Sequence, residues 1–256
     1  MMKRSESIKK INDSLLSIGL DGLAMNIDRS LATVTSTSEL MESFVLAFET
    51  YSQEEQTRRT AQLLKRSKVP YVEYYSNLWN YKARRFDYEQ LEYILDLPFV
   101  KEKRNLVIDG PSGTGKSWFA SVIATKACEQ GLRTRWVNFP QLIRDLDNKL
   151  EMKGTAFDSR LKYYTNFDLL IIDEFLNLNP EQLVASSYVL QEFCNRVKER
   201  KVPMVITAQL ATEKMEKLFV PEAIGESIKG GVLGNALFLH LSGPNLNLYK
   251  PEDEIF

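Results

Sequence analysis

Apolar and polar positions alternate differently in the two parts of this chain. Ile8, Ile11, Leu15, Leu16 and Ile18 recur at helical spacing and stop at Gly19, which predicts an amphipathic helix over residues 6–18. A longer helical pattern starts near Ser38, carries Leu40, Phe44, Phe48 and Tyr51, and runs to about Lys65, ahead of Pro70. Residues 87–97 read as one more helix, with Asp87 as N-cap, Gln90 three residues on in a capping-box arrangement, and Pro98 as its end. Beyond this point short apolar runs enter. Asn105–Asp109, Arg133–Val137, Asp168–Ile172, Met204–Thr207 and Ala236–Leu241 read as strands, and the third is apolar almost throughout, as in a strand buried on both faces. Between them, 118–130, 140–150, 156–164 and 181–200 carry helical spacing, and two short helical patterns precede the last strand. The alternation predicts an α/β domain of three layers around a parallel five-stranded sheet, preceded by a small all-α module.

The turn after the first strand carries the chemistry. Gly110-Pro111-Ser112-Gly113-Thr114-Gly115-Lys116-Ser117 fits the phosphate-loop pattern G-x-x-x-x-G-K-[ST] at every fixed position, between a strand and a helix as that motif requires. Glycines let backbone N–H groups turn inward around phosphate oxygens, and the helix N-terminus adds positive potential. Lys116 would reach the terminal phosphates and Ser117 would offer a hydroxyl to Mg²⁺.

The third strand ends in Asp173-Glu174, at the strand end where open α/β sheets hold their ligands. Asp173 would orient Mg²⁺, and Glu174 would polarise a water for in-line attack on the γ-phosphorus. Loop and acidic pair together point to an ATPase, converting ATP and water to ADP and phosphate. A polar residue on the neighbouring strand should contact the γ-phosphate or that water. Gln209 is the first candidate and Thr207 the second. The single histidine, His240, lies in the apolar run of the last strand and reads as structural.

Composition narrows the partners. The chain has 256 residues, 44% of them hydrophobic, and its 33 basic and 34 acidic residues leave a formal charge of −1, so any nucleic-acid surface must be local. One stretch is uneven. From Gln56 to Phe86 there are eight basic residues (Arg58, Arg59, Lys65, Arg66, Lys68, Lys82, Arg84, Arg85) against the single acid Glu73, a net of +7. Tyr71, Tyr74, Tyr75, Trp79 and Tyr81 are interleaved with them. Cations of this density neutralise phosphates, while the aromatic rings read as packing against the neighbouring domain. Cys128 and Cys194 fall in predicted helices without metal-ligand spacing, as reduced thiols of a cytosolic protein do. No signal peptide and no membrane span is read.

With these motifs in hand, the chain resembles the IstB-like helper ATPases of bacterial insertion sequences, in the same AAA+ clade as the DnaC and DnaI helicase loaders. The runs GPSGTGKSWFA, LLIIDEF and MVITAQL are similar to that family's two Walker motifs and its sensor-1 strand. Arg58 to Lys65 followed by Pro70 is similar to its basic stretch ahead of the core. Asn235-Ala236, with Leu239, Leu241 and Gly243, is similar to its last strand. The resemblance implies an AAA+ type core that binds ATP and Mg²⁺, a homo-oligomer assembled on double-stranded DNA, DNA remodelling, and recruitment and stimulation of a transposase in the bacterial cytoplasm. Carried over by residue, Lys116 and Ser117 bind nucleotide and Mg²⁺, Asp173 is Walker B, Glu174 is catalytic and Gln209 is sensor 1. The two helices between Pro140 and Tyr164 fall where this clade carries an extra DNA-facing helix.

Two positions depart from the family pattern. Gly230-Gly231 stands where an Asp-Arg pair is usual, leaving Lys229 as the nearby cation that would act on a neighbouring subunit's nucleotide. Gly243-Pro244-Asn245-Leu246-Asn247 stands where a further arginine is expected. Both imply slow hydrolysis with ATP binding intact. The expected organisation is a helical DNA- and partner-binding module over 1–70, a linker with one helix over 71–104, and the ATPase domain over 105–256. Two other readings stay open: a helicase loader whose N-terminal helices grip a replicative helicase, and a nucleotide-binding scaffold with little turnover.

Overall fold

A computed structural model describes residues 4–31, 37–73, 88–152, 154–209, 218–219, 222–242 and 245. The expected N-cap Asp87, the rings of Tyr74, Tyr75, Trp79 and Tyr81, and most of the first short helical pattern after Gln209 lie outside the described residues. The chain divides into two compact units, Met1–Ala61 and Gln62–Phe256. No helix among the described residues is long and apolar enough to cross a membrane.

The first unit contains α1 (Arg4–Ser17), α2 (Asp21–Leu31) and most of α3 (Thr37–Ser67). Leu23, Ile27, Leu31 and Ala47 form its core, with Ile8, Leu15, Phe44 and Tyr51 packed against them. The helix α2 is an addition to the sequence reading. Gly19, at φ 76, ends α1 in the left-handed region, and the chain then re-enters a helix whose buried apolar positions are Leu23, Ala24, Ile27 and Leu31.

The second unit opens with the last turn and a half of α3, followed by α4 (Tyr88–Leu95) and the short α5 (Pro98–Lys101). Pro98 therefore starts a helix as well as following one, as proline does at a first helical position. Then come β1 (Asn105–Asp109), α6 (Lys116–Glu129), β2 (Thr134–Asn138), α7 (Phe139–Glu151), α8 (Ala156–Tyr164) and β3 (Leu169–Asp173). The unit continues with α9 (Pro180–Ala185), α10 (Ser187–Arg200), β4 (Met204–Ala208), α11 (Glu222–Leu233) and β5 (Ala236–His240).

The single helix expected over 181–200 is two. Asn179 caps α9 by accepting from Gln182 N at 2.8 Å, and the chain breaks at Ser186, whose hydroxyl donates to Asp147 Oδ2 of α7 at 2.8 Å. Its backbone bonds persist across the junction, Ser186 N to Gln182 O at 2.9 Å and Leu190 N to Ser186 O at 3.0 Å, while its φ of −92 and ψ of 10 mark the change from one helix to the next.

All five strands run parallel in the order β2-β3-β4-β1-β5. Helices cover both faces, so the three-layer expectation holds. Alternate residues of β3 feed the two faces: Leu170 and Ile172 join the core under α7, α8 and α10, while Leu169 and Ile171 join the core under α6. This explains the unbroken apolar run. α6 is buried on almost every side, with Phe119, Ala120, Ile123, Ala124 and Ala127 fully inside.

The strand order sets the chemistry. β4 lies between β1, which carries the phosphate loop, and β3, which carries the acidic pair. At the opposite end of the sheet, Asn105 ties three elements together. Its Nδ2 donates to Val232 O in α11 at 2.8 Å, and its Oδ1 accepts from Met204 N at the start of β4 at 3.0 Å. Asn105→Ala leaves both backbone groups without these partners, and should cost about 2 kcal/mol, since an orphaned donor or acceptor typically costs about 1–3. Urea unfolding reads the loss, and a change below about 0.5 kcal/mol would exclude this role for Asn105.

Candidate nucleotide site

The loop is built by three glycines in conformations that other residues avoid: Gly110 at φ 138, Gly113 at φ 79 and Gly115 at φ 92. Thr114 closes the turn by donating its hydroxyl to Pro111 O at 2.9 Å. Lys116, only 8% exposed, lies along the loop and donates to Gly110 O at 2.8 Å and Pro111 O at 2.6 Å. Burial lowers its pKa from the ordinary lysine value, while the carboxylates of Asp173 and Asp109 oppose that shift. The ammonium is thus held where an anion with several oxygens would gain most from it.

Three strand ends converge beside the loop. Ser117, in the first turn of α6, donates its hydroxyl to Asp173 Oδ1 at 2.7 Å. Thr207, 1% exposed in β4, donates to the same oxygen at 2.6 Å and accepts from Glu174 N at 3.0 Å. Phe175 N donates to Thr207 O at 2.8 Å. The turn after β3 is therefore strapped to β4, with Glu174 held at φ 59. Its exposed side chain accepts from Asn138 Nδ2, at the end of β2, at 2.8 Å. β2 flanks β3 on the side away from β4 and β1, so this bond draws the Glu174 carboxylate away from the loop.

Ser117 and Asp173 supply two hard oxygen atoms within one hydrogen bond of each other. Such a pair suits Mg²⁺, which uses few protein ligands and completes its shell with water and phosphate. Among the described residues no group of three or more His, Cys, Asp or Glu could form a metal cage instead.

The other sequence candidates fall as follows. Gln209 is exposed and follows β4 directly; Thr207 makes the contact with the acidic pair. His240 ends the edge strand β5, 64% exposed at its side chain, with Nδ1 3.0 Å from Asp109 Oδ1 beside the loop. Lys229 is half-buried in α11. Cys128 and Cys194 are buried and unbridged; burial pushes the Cys194 thiol up to about 12, and that of Cys128 is also raised.

Of the basic stretch, Arg58 and Arg59 both fasten on Glu55, at 2.8 Å each, and these two guanidiniums hold its carboxyl down at about 2. The arginine side chains are 67% and 74% exposed, so these are weak surface pairs. Lys65 and Arg66 are exposed in the last turn of α3. Lys68 rims a cavity of about 600 Å³ that runs past Arg135, Trp136 and Asn138 to Asp173. Lys82, Arg84 and Arg85 lie outside the described residues.

Asn138 was not anticipated, and Thr207 only as second choice. Both act through cross-strand register, with Asn138 beside Asp173 and β4 beside β3, which apolar periodicity does not reveal.

The family model of the IstB-like ATP-binding proteins matches residues 14–248. The chain belongs to this family. It is similar to the insertion sequence ATP-binding protein y4uH of Sinorhizobium fredii, with 25% identity over 198 residues, 77% of this chain and 78% of that protein. The insertion sequence IS21 ATP-binding protein of Pseudomonas aeruginosa is 24% identical over 192 residues, 72% of this chain and 68% of its own. Among solved structures, DnaI matches at a TM-score of 0.48 and 20% identity, covering 63% of this chain and 86% of its own. Family membership assigns ATP binding to the chain and agrees with the loop geometry.

Thr207→Val preserves shape while removing the hydroxyl that bridges Asp173 and Glu174 N. A stability loss of about 1–3 kcal/mol is expected in urea, the range for orphaning buried hydrogen-bonding groups. An unchanged midpoint would contradict the bridge.

Proposed function

We propose that this chain is an ATP-dependent DNA-binding AAA+ protein that oligomerises on target DNA, remodels it, and recruits and stimulates a transposase. The observation that carries the reading is the convergence of Lys116, Ser117, Asp173 and Glu174 at one end of the sheet, in a chain of the IstB-like family. The names of its relatives tie them to insertion sequences.

In this reading the N–H groups from Gly113 to Ser117 and the Lys116 ammonium bind the ATP phosphates. Ser117 and Asp173 hold Mg²⁺, which offsets phosphate charge when bound. Glu174 takes the proton of the attacking water, and Gln209, with Thr207 behind it, orients the γ-phosphate side of the pocket. Glu174 must leave Asn138 to do so, which makes resting turnover slow. The glycines at 230 and 231 slow it further, with Lys229 the remaining cation that a neighbouring subunit would receive. A lysine is a point charge and lacks arginine's planar fork.

Residues 1–70 form the DNA- and partner-binding module, 71–104 lead into the core and 105–256 form the ATPase domain. DNA phosphates displace Glu55 from Arg58 and Arg59, and are held also by Lys65, Arg66, Lys68, Lys82, Arg84 and Arg85. ATP binding then acts chiefly as an assembly switch.

The test is a gel-shift titration on duplex DNA at several salt concentrations, with phosphate release followed in parallel. Binding should be strengthened by ATP and weakened steeply by salt, and Lys116→Ala should lose the ATP effect; Glu174→Gln should abolish phosphate release. Identical DNA affinity with and without ATP would contradict the coupling. Recovery of a replicative helicase and no transposase from a pull-down would favour the loader reading.

A further inference from the structure

The chain leaves β5 and lies directly on the phosphate loop. Leu241 N donates to Asp109 O at 2.9 Å, extending the strand pairing by one residue. Leu241 O then stands 2.1 Å from where a Cβ on residue 110 would be. Four residues on, the half-buried Asn245 brings its carboxamide to residue 113. A Cβ there would lie 1.9 Å from Asn245 Oδ1 and 2.3 Å from its Cγ. Real Cβ atoms essentially never approach another heavy atom closer than 3.0 Å. Two loop glycines three residues apart are thus each covered by a residue from beyond β5, Leu241 on one and Asn245 on the other.

The two glycines differ in what demands them. Gly110 is a fixed position of the phosphate-loop pattern, whereas Gly113 falls among its four variable positions. At 113 the left-handed backbone favours glycine, and the Asn245 carboxamide fills the space that a Cβ would take. Gly113 also begins the run of backbone N–H groups that a loop of this kind turns toward phosphate. A side chain bearing on that residue fixes the direction in which the run points.

We propose that Asn245 is a positioning residue of the nucleotide site, which sets ATP affinity by bracing Gly113. It acts through the loop, so it governs binding and leaves the chemical step alone. The proposal rests on the reading of Gly110–Ser117 as an ATP site.

Four variants decide it, with a fluorescent ATP analogue for affinity and steady-state phosphate release for KM and kcat. Asn245→Ala should raise the Kd and KM for ATP about tenfold, with kcat within about twofold, the pattern of lost uniform binding. Gly113→Ala should weaken binding by about a hundredfold, and adding Asn245→Ala should recover about tenfold of that, as expected of two residues in direct contact. The remaining tenfold is the cost of the missing carboxamide, the same as in Asn245→Ala alone. Should Gly113→Ala fail to fold by thermal melting, Asn245→Ala alone decides, because it removes atoms without adding any.

An Asn245→Ala protein with wild-type KM, or one losing kcat with KM unchanged, would overturn the proposal. So would a folded Gly113→Ala/Asn245→Ala protein no better than Gly113→Ala. Lys116→Ala separates the two levels of the argument. If it binds the analogue as well as wild type, the ATP-site reading itself fails; if it loses binding while Asn245→Ala is unaffected, only the role of Asn245 fails.

Discussion

One carboxylate oxygen, Asp173 Oδ1, receives the hydroxyls of Ser117 and Thr207, and the geometry of the site follows from that shared acceptor. Ser117 belongs to the helix after β1, Thr207 to β4 and Asp173 to β3, so a single atom aligns the ends of three neighbouring strands. That carboxylate lies near Lys116, whose burial favours the neutral form while the charges of Asp173 and Asp109 favour the protonated one. The two effects oppose each other at the lysine that lies along the loop. Thr207 extends the arrangement by one further bond to Glu174 N, which fixes the left-handed turn that aims the second acid.

The parallel sheet makes this convergence possible. Strands of the same direction bring all their carboxyl ends to one edge, and the order β2-β3-β4-β1-β5 puts the phosphate loop and the acidic pair one strand apart. The same order gives Glu174 a partner on the far side, Asn138 of β2, and Leu241 and Asn245, from beyond β5, lie against the loop glycines. The site is therefore reached from both edges of the sheet. Helix burial supports it from beneath: α6 is packed by both its own strand and β4, so Lys116 and Ser117 start from a rigid first turn.

Much of this was legible in the sequence, for reasons that differ by element. The strands stand out because burial on two faces demands almost continuous apolar residues, as in Leu169 to Ile172. The loop stands out because its glycines and lysine have no cheaper structural explanation beside Asp173-Glu174. The helix α2 was hidden, since Gly19 and Gly22 punctuate a segment too short to show many turns. The break at Ser186 has no glycine or proline to mark it, and the partner of its hydroxyl, Asp147, is far away in the chain. Thr207 and Asn138 share this property, each meeting a partner brought near by sheet register, and Asn245 lies against a glycine more than a hundred residues before it; one-dimensional spacing carries no trace of such neighbours. The basic stretch was visible as charge, but not that Glu55 holds Arg58 and Arg59.

The most direct measurement of the central arrangement is calorimetric titration of ATP into the intact protein, with and without Mg²⁺, for wild type and Asp173→Asn. If Ser117 and Asp173 are the protein's Mg²⁺ ligands, Mg²⁺ should tighten ATP binding to the wild type by about tenfold or more, and Asp173→Asn should lose most of that gain while keeping its Mg²⁺-free affinity. Equal Mg²⁺ dependence in the two proteins would contradict the account, because the oxygen on which the site is built would then play no part in holding the nucleotide.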